Sequence, residues 1–360
     1  MVGLKLGGKE MEAINFVVIG YGGMGSYHAK ELIAETTGLN VVGIYDIKEE
    51  RLTQAQADGF KTYDSLESVL ADTQVEAVLV ATPNDSHKEL AIQAIKAGKH
   101  VVCEKPVMMN TEELEEVMAL AQLERKTFMV HQNRRWDNDF LIIRDLYNQK
   151  QVGDLFQIES RVQGANGIPG DWRHLKEHGG GMLLDWGVHL LDQLLFMVDS
   201  PLKTVAADLS FVLGDDVDDG FISYLTFENG VKAIVEVGTT NFVKLPRWYV
   251  RGFEGAAVIQ DWDLSGEIVK QTGIIDHHNL VPIQAGQGLT KTMAPPSEEA
   301  TTTLPIKEVA PEFDSFYRNF YNVVRNEADP IVKNTEVYRV LKLIETIFEA
   351  AEKQQVLPFE

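Results

Sequence analysis

Cysteine is nearly missing: Cys103 is the only one in 360 residues. That excludes an internal disulfide framework and fits a reducing compartment. Basic residues are also in short supply, 33 Lys and Arg against 54 Asp and Glu, for a formal charge of −21. A field of that sign repels phosphate at long range and leaves no basic stripe, so neither nucleic acid nor an anionic membrane is expected as a partner. Any phosphate must be held by local geometry. No apolar run reaches the roughly 18 residues of a membrane span, and "MVGLKLGGKEMEAIN" at the start lacks the apolar stretch of a signal peptide. The expectation is a soluble, cytoplasmic protein. Internal repeats are absent as well.

What is present is ample apolar residue content, 44% of the chain, over a length that suggests two domains. In the first third, "INFVVIG" (14–20), "NVVGIYD" (40–46), "VEAVLVAT" (75–82), "HVVCEK" (100–105) and "TFMVH" (127–131) read as strands. Helical periodicity fills 24–35, 86–97 and 111–125, and strand alternating with helix is the mark of a parallel sheet covered on both faces. An α/β Rossmann-type domain is predicted over residues 1–132. From 154 onward the strand-like runs follow one another with turn signals such as "ENG" at 228–230. Residues 133–360 are therefore predicted to form an α+β domain with a large open, mostly antiparallel sheet and helices near 180–197, 312–327 and 335–354. Residues 270–311 show little periodicity and are read as a long surface excursion.

The segment "GYGGMG" puts Gly20, Gly22 and Gly25 after a strand and before a helix. Gly20 permits the tight turn, Gly22 the approach of a pyrophosphate to backbone, and Gly25 close packing of helix on sheet. A helix N-terminus then offers free N–H donors and partial positive charge, by which an acidic chain holds a dinucleotide. Asp46, at the end of the next strand, is placed to accept from a ribose 2′-hydroxyl and to repel a 2′-phosphate. NAD is expected as cofactor, with NADP possible because Lys48 and Arg51 stand close by. Tyr21, Gly23 and Met24 within the loop and Ile47 beside the acid complete the expected contacts.

"GYGGMG" with "ATPNDSH" (81–87), "AGKHVVCEKP" (97–106) and "GGGMLLDWGVHLLD" (179–192) resembles the Gfo/Idh/MocA family, named for glucose-fructose oxidoreductase, inositol dehydrogenase and a rhizopine-catabolism protein. The resemblance covers nearly the whole chain. It implies that Thr82, Pro83 and Asn84 line the cofactor with His87 nearby, and it gives Lys105 a role at the substrate hydroxyl; Glu104, counted with Lys105 among the cofactor contacts, is read either as pairing with it or as holding the turn. Read from residues alone, Asn84 and Ser86 are equally placed to cap the helix that follows.

Lys105 closes the fourth strand, and ligands of an open parallel sheet sit beyond the carboxyl ends of its strands. Its ammonium is therefore expected in the same crevice as the glycine loop, suited to a substrate hydroxyl. Pro106 fixes the backbone after it, with a trans peptide expected. On a helical wheel Asp185, His189 and Asp192 share one stripe, and Leu184, Val188, Leu191 and Leu195 another. At i,i+4 spacing Asp185 is expected to orient His189. The resemblance implies that His189 exchanges the hydroxyl proton while hydride passes to or from nicotinamide. Segments "NRRW" and "DWR" resemble family segments that face the substrate, which makes Asn133, Arg134, Trp172 and Arg173 candidate contacts. Trp186 departs from the smaller residues common in relatives and is read as core packing or as narrowing the pocket.

No metal is expected. His174 and His178 share i,i+4 spacing and His277 adjoins His278, but neither pair has the Glu of an HExxH arrangement. The implied activity is an NAD(P)-dependent oxidoreductase acting on a secondary alcohol of a sugar, inositol or related polyol. Two other readings stay open: a dinucleotide-sensing regulatory protein without turnover, and an NAD-dependent glycosidase. Alternation at Ile222, Tyr224 and Val235 suggests an uncovered sheet face and hence a homodimer or homotetramer.

Overall fold

The computed structural model describes residues 12–274 and 280–359. Strands β1 (Ile14–Ile19), β2 (Leu39–Tyr45), β3 (Ala77–Val80), β4 (His100–Cys103) and β5 (Phe128–Val130) form a parallel sheet in the order β2-β1-β3-β4-β5. An isolated parallel bridge between Ile44 and Thr62 continues it beyond β2. Strands β1, β3, β4 and β5 are buried almost throughout, as they must be when helices cover both faces, while β2 is partly open. Those helices are α1 (Gly23–Tyr27), continued as a π-helical turn over His28–Leu32, then α2 (Glu49–Ala57), α3 (Leu66–Ala71), α4 (His87–Lys96) and α5 (Thr111–Leu123). The chain runs outward from β1 and returns to β3 on its other side. That reversal opens a crevice at the carboxyl ends of β1 and β3.

After α6 (Asn138–Asn148) comes β6 (Leu155–Gln163), followed by the loop to a π-helical turn at Leu183–Gly187 and α7 (Val188–Met197). Then come β7 (Leu202–Ser210), β8 (Gly220–Phe227), β9 (Lys232–Gly238), β10 (Trp248–Gly252), β11 (Gly255–Ile259), β12 (Gly266–Gln271), a hairpin of β13 (Ile283–Ala285) and β14 (Gly288–Thr290), and β15 (Thr301–Pro305). Helices α8 (Phe316–Val324) and α9 (Asn334–Lys353) precede β16 (Leu357–Pro358). Among the described residues a nine-stranded sheet runs β15-β12-β11-β10-β6-β9-β8-β7-β16, antiparallel except where β6 meets β9. Leu184, Val188, Leu191 and Leu195 pack under it as their spacing predicts, together with α6 and α9.

Three expectations change. The stretch 270–311 is not all excursion, because Thr301–Pro305 pairs with β12 and lengthens the sheet; its side chains stay largely exposed, so periodicity carries no signal there. Val235 faces the helices, being fully buried opposite Ser223, while Ile222 and Tyr224 lie opposite Glu236 and Ile234 on the other face. Finally, α8 leaves the second sheet: Phe316, Tyr317 and Phe320 complete the core of the first.

Candidate active site

The glycine loop is built as its three positions require. Gly20 has φ +94°, and a Cβ there would stand 2.5 Å from the Ala81 carbonyl oxygen. One on Gly25 would stand 1.8 Å from the Gly20 oxygen, while one on Gly22 meets nothing within 4 Å. Two glycines thus serve the protein's own packing, and Gly22 leaves the open approach that a pyrophosphate needs. Gly23 and Met24 are exposed at the start of α1, where N–H groups lack helical partners. The Tyr21 ring is buried and bonded to Asp58 at 2.8 Å, so its backbone, not its phenol, belongs to the loop. Asp46 is fixed by two N–H donors, Tyr21 at 2.7 Å and Lys48 at 2.9 Å. Ile47 beside it is 87% exposed. The loop therefore fits a dinucleotide, with the acid positioned beside it.

Of the residues after β3, Thr82 and Pro83 are partly exposed, and Thr82 Oγ1 lies 2.6 Å from Ser86 Oγ. Neither Asn84 nor Ser86 caps α4 through its side chain. Asn84 is buried and donates to the Gly179 carbonyl at 2.9 Å, tying the cofactor loop to the segment before α7. His87 does not face the crevice: it is fully buried, 2.9 Å from the Thr82 oxygen and 3.1 Å from that of Pro106. Its ring latches the two loops from beneath, and burial lowers its pKa.

Glu104 likewise supports from below. Its Oε1 accepts from His28 Nε2 at 2.6 Å and His131 Nδ1 at 2.9 Å, and its Oε2 from the Lys105 N–H at 3.0 Å. His28 Nδ1 is 2.6 Å from the Tyr317 hydroxyl on α8. Burial alone would raise the Glu104 pKa, but the charge and hydrogen bonds of the two histidines hold it well below its ordinary value. His28, Glu104 and His131 are the three potential metal ligands that come within 4.8 Å among the described residues. Both histidines aim at one oxygen at hydrogen-bond length, closer than the ~3 Å or more separating ligands that each stand about 2.0–2.1 Å from a shared zinc. The network has no counterpart in sequence spacing, since its members are 27 to 76 residues from Glu104.

Lys105 projects upward from the end of β4 and is followed by a cis peptide to Pro106, not the trans one expected. Its Nζ donates to the Asp185 carbonyl at 3.1 Å and lies 3.4 Å from Asp185 Oδ1. The other carboxylate oxygen of Asp185 is 3.3 Å from Arg173 Nε. Asp185 therefore pairs with two cations and not with His189, whose Nδ1 is buried without a hydrogen-bond partner among the described residues. The cause is local: the π-helical turn at Leu183–Gly187 breaks the 3.6-residue register that would have stacked i on i+4. Burial, then the charges of Lys105 and Arg134, hold the His189 imidazole well below its ordinary pKa. It is a neutral ring with a nitrogen to spare. Asp192 belongs elsewhere: it is buried in a two-point pair with Arg135 at 2.7 and 2.9 Å.

The substrate candidates divide. Arg173 reaches Asp185 and Asp171 and lies 4.7 Å from the Trp172 ring centre. Arg134 pairs with Asp137 at 2.9 Å and lies over Trp186 at 4.3 Å. Asn133 is partly exposed beside it. Trp186 lies 5.9 Å from His189, ring centre to ring centre, and so borders the imidazole. Asp218, which the sequence did not single out, receives the Leu183 N–H at 2.8 Å and anchors the start of the π-helical turn. His174 and His178 point to different acids, Asp215 and Asp85, and form no pair. His277 and His278 lie outside the described residues.

Residues 14–132 match the oxidoreductase family with an NAD-binding Rossmann fold, and residues 140–258 match the Gfo/Idh/MocA C-terminal domain. A crystal structure of an NAD-binding protein from Listeria innocua is 62% identical, with a TM-score of 0.94 over 96% of this chain and 99% of that one. The scyllo-inositol 2-dehydrogenase (NADP(+)) IolW of Bacillus subtilis is 26% identical across 100% of both chains. A 1,5-anhydro-D-fructose reductase of Ensifer adhaerens is 33% identical over 62% of this chain and 68% of its own.

Proposed function

The chain belongs to the Gfo/Idh/MocA family of NAD(P)-binding oxidoreductases, and from that premise we propose that it moves hydride between nicotinamide and a secondary alcohol of a sugar, inositol or related polyol. The observation that carries this is the meeting of Lys105, from the end of β4, with the helical segment that bears His189. A dinucleotide held through its pyrophosphate at the glycine loop would supply, in its nicotinamide, the hydride acceptor or donor. The chain's own residues supply the rest. Lys105 donates to the substrate oxygen and stabilises negative charge developing on it. His189, held neutral by burial and by the charges of Lys105 and Arg134, takes the hydroxyl proton or returns it. Asp185 balances Lys105 and Arg173, and Glu104 fixes the backbone of Lys105 from below.

Asp46 favours NAD over NADP, since its fixed carboxylate accepts from a 2′-hydroxyl and opposes a 2′-phosphate. Among the described residues no helix is long and apolar enough to cross a membrane, which accords with a cytoplasmic enzyme. Among the described residues no helix covers the sheet face carrying Ile222, Ile234 and the 47%-exposed Tyr224, which suits a homodimer or homotetramer. The test of the activity is a panel of sugars and inositols assayed for the absorbance of reduced nicotinamide, with NAD and NADP in parallel. Reduction by at least one cyclic polyol is expected, with NAD preferred. Failure across the panel in both directions of reaction would overturn the reading.

A further inference from the structure

The aromatic surface beside His189 continues past one indole to a second. Trp186 stands 5.9 Å from the imidazole, centre to centre, and Trp262 stands 6.2 Å beyond Trp186 with its plane tilted by 38°. Arg134 joins the two indoles, 4.3 Å from one centre and 5.5 Å from the other. Arg247 lies 4.8 Å from Trp262 and is itself buried and bonded to Ser160 and Gln193. Trp262 thus rests on a fixed base while 46% of its surface stays open. Single exposed apolar side chains are ordinary. This one differs in being anchored by two guanidinium groups and in packing against Trp186, which itself stands beside the imidazole.

The spacing suggests what it takes. Sugar rings joined through a bridging oxygen follow one another at about the interval that separates these side chains, and the C–H face of such a ring is attracted to the negative face of an indole. We propose that Trp262 forms an outer subsite for a second ring, so that the polyol ring at His189 is one half of a two-ring compound such as a disaccharide or glycoside. This rests on the hydride-transfer reading above: the ring beside Trp186 reacts, and the ring on Trp262 contributes binding alone.

The test is calorimetric titration of the full-length, NAD-loaded protein with cellobiose, maltose and trehalose against glucose, methyl glucoside and myo-inositol, alongside nicotinamide reduction. At least one two-ring sugar should bind about three- to tenfold more tightly than every single-ring probe. Trp262→Ala should remove that gain and leave single-ring and NAD affinities unchanged, while Trp262→Phe retains most of it. Equal affinity across the panel, a gain that survives Trp262→Ala, or binding of no probe would overturn the subsite. Reduction of NAD by single-ring polyols without any two-ring gain removes the subsite alone. A two-ring gain without nicotinamide reduction supports the subsite and removes the hydride-transfer reading.

Discussion

Lys105 donates to the backbone carbonyl of Asp185 at 3.1 Å, across 80 residues of sequence and from beyond the end of β4 to the π-helical turn that leads into α7. The contact fixes an amine at a strand end against the helical segment that carries His189. It also settles the company of Asp185, whose carboxylate is shared by Lys105 and Arg173 and is not directed at the imidazole.

Replacing His189 with alanine should lower kcat by about 10² to 10⁴-fold, the usual loss for a general base. Burial and Lys105 keep the ring neutral below its ordinary range. The acid limb of the wild-type kcat profile should accordingly fall below about pH 6.5, the value of a free histidine. A pH–rate profile checks both points, and a limb near neutrality that disappears in the variant would contradict the second.

Lys105→Arg should be nearly inactive despite keeping the charge. A planar guanidinium spreads its donors over a fork and cannot replace a compact ammonium held against the Asp185 carbonyl. Steady-state turnover with NAD affinity measured alongside separates a failed reaction from failed cofactor binding; near-normal kcat would count against this placement.

Gly22 and Gly25 should fail in different ways. Gly25→Ala puts a methyl 1.8 Å from the Gly20 oxygen and should destabilise the apoprotein. Gly22→Ala meets no protein atom within 4 Å, so its stability should stay within about 1 kcal/mol of wild type. Its NAD affinity should nevertheless fall. Denaturant titration and cofactor binding on both variants test the contrast, and unchanged NAD affinity in Gly22→Ala would show that the ligand does not approach there.

Asp218 gives a pH signature. Burial pushes its carboxyl up to about 7, against roughly 3.9 in an unfolded chain. The folded state therefore binds the extra proton between those values. Its stabilisation is complete below about pH 4 and is lost as pH rises through 7. Asp218→Asn cannot lose a proton, so the melting temperature of wild type relative to the variant should drop from about pH 5 to pH 8.5. A difference that does not change with pH would refute this.

What could be read in the sequence is what lies close along the chain. The parallel strands show as continuous apolar runs because they lie between helical layers, and the glycine loop shows because Gly20 and Gly25 exclude a side chain while Gly22 keeps its approach open. The hydrophobic stripe of α7 is equally plain. What escaped depends on distant partners or on a broken period. A π-helical turn undid the expected Asp185–His189 pair. Burial turned His87 and Glu104 into supports beneath the crevice. No spacing rule joins Glu104 to His28, or Trp186 to Trp262, because tertiary folding alone brings them together. Strand β15 carried no alternation because it is an exposed edge.

Hydride transfer at this site requires that the crevice of the glycine loop open onto Lys105 and His189 together. A crystal structure with NAD bound tests it most directly. Nicotinamide C4 should face both side chains, with room for one carbinol carbon at the roughly 3–3.5 Å of a reacting pair. A nicotinamide ring whose C4 edge turns away from either residue, or is sealed from them by protein, would contradict it.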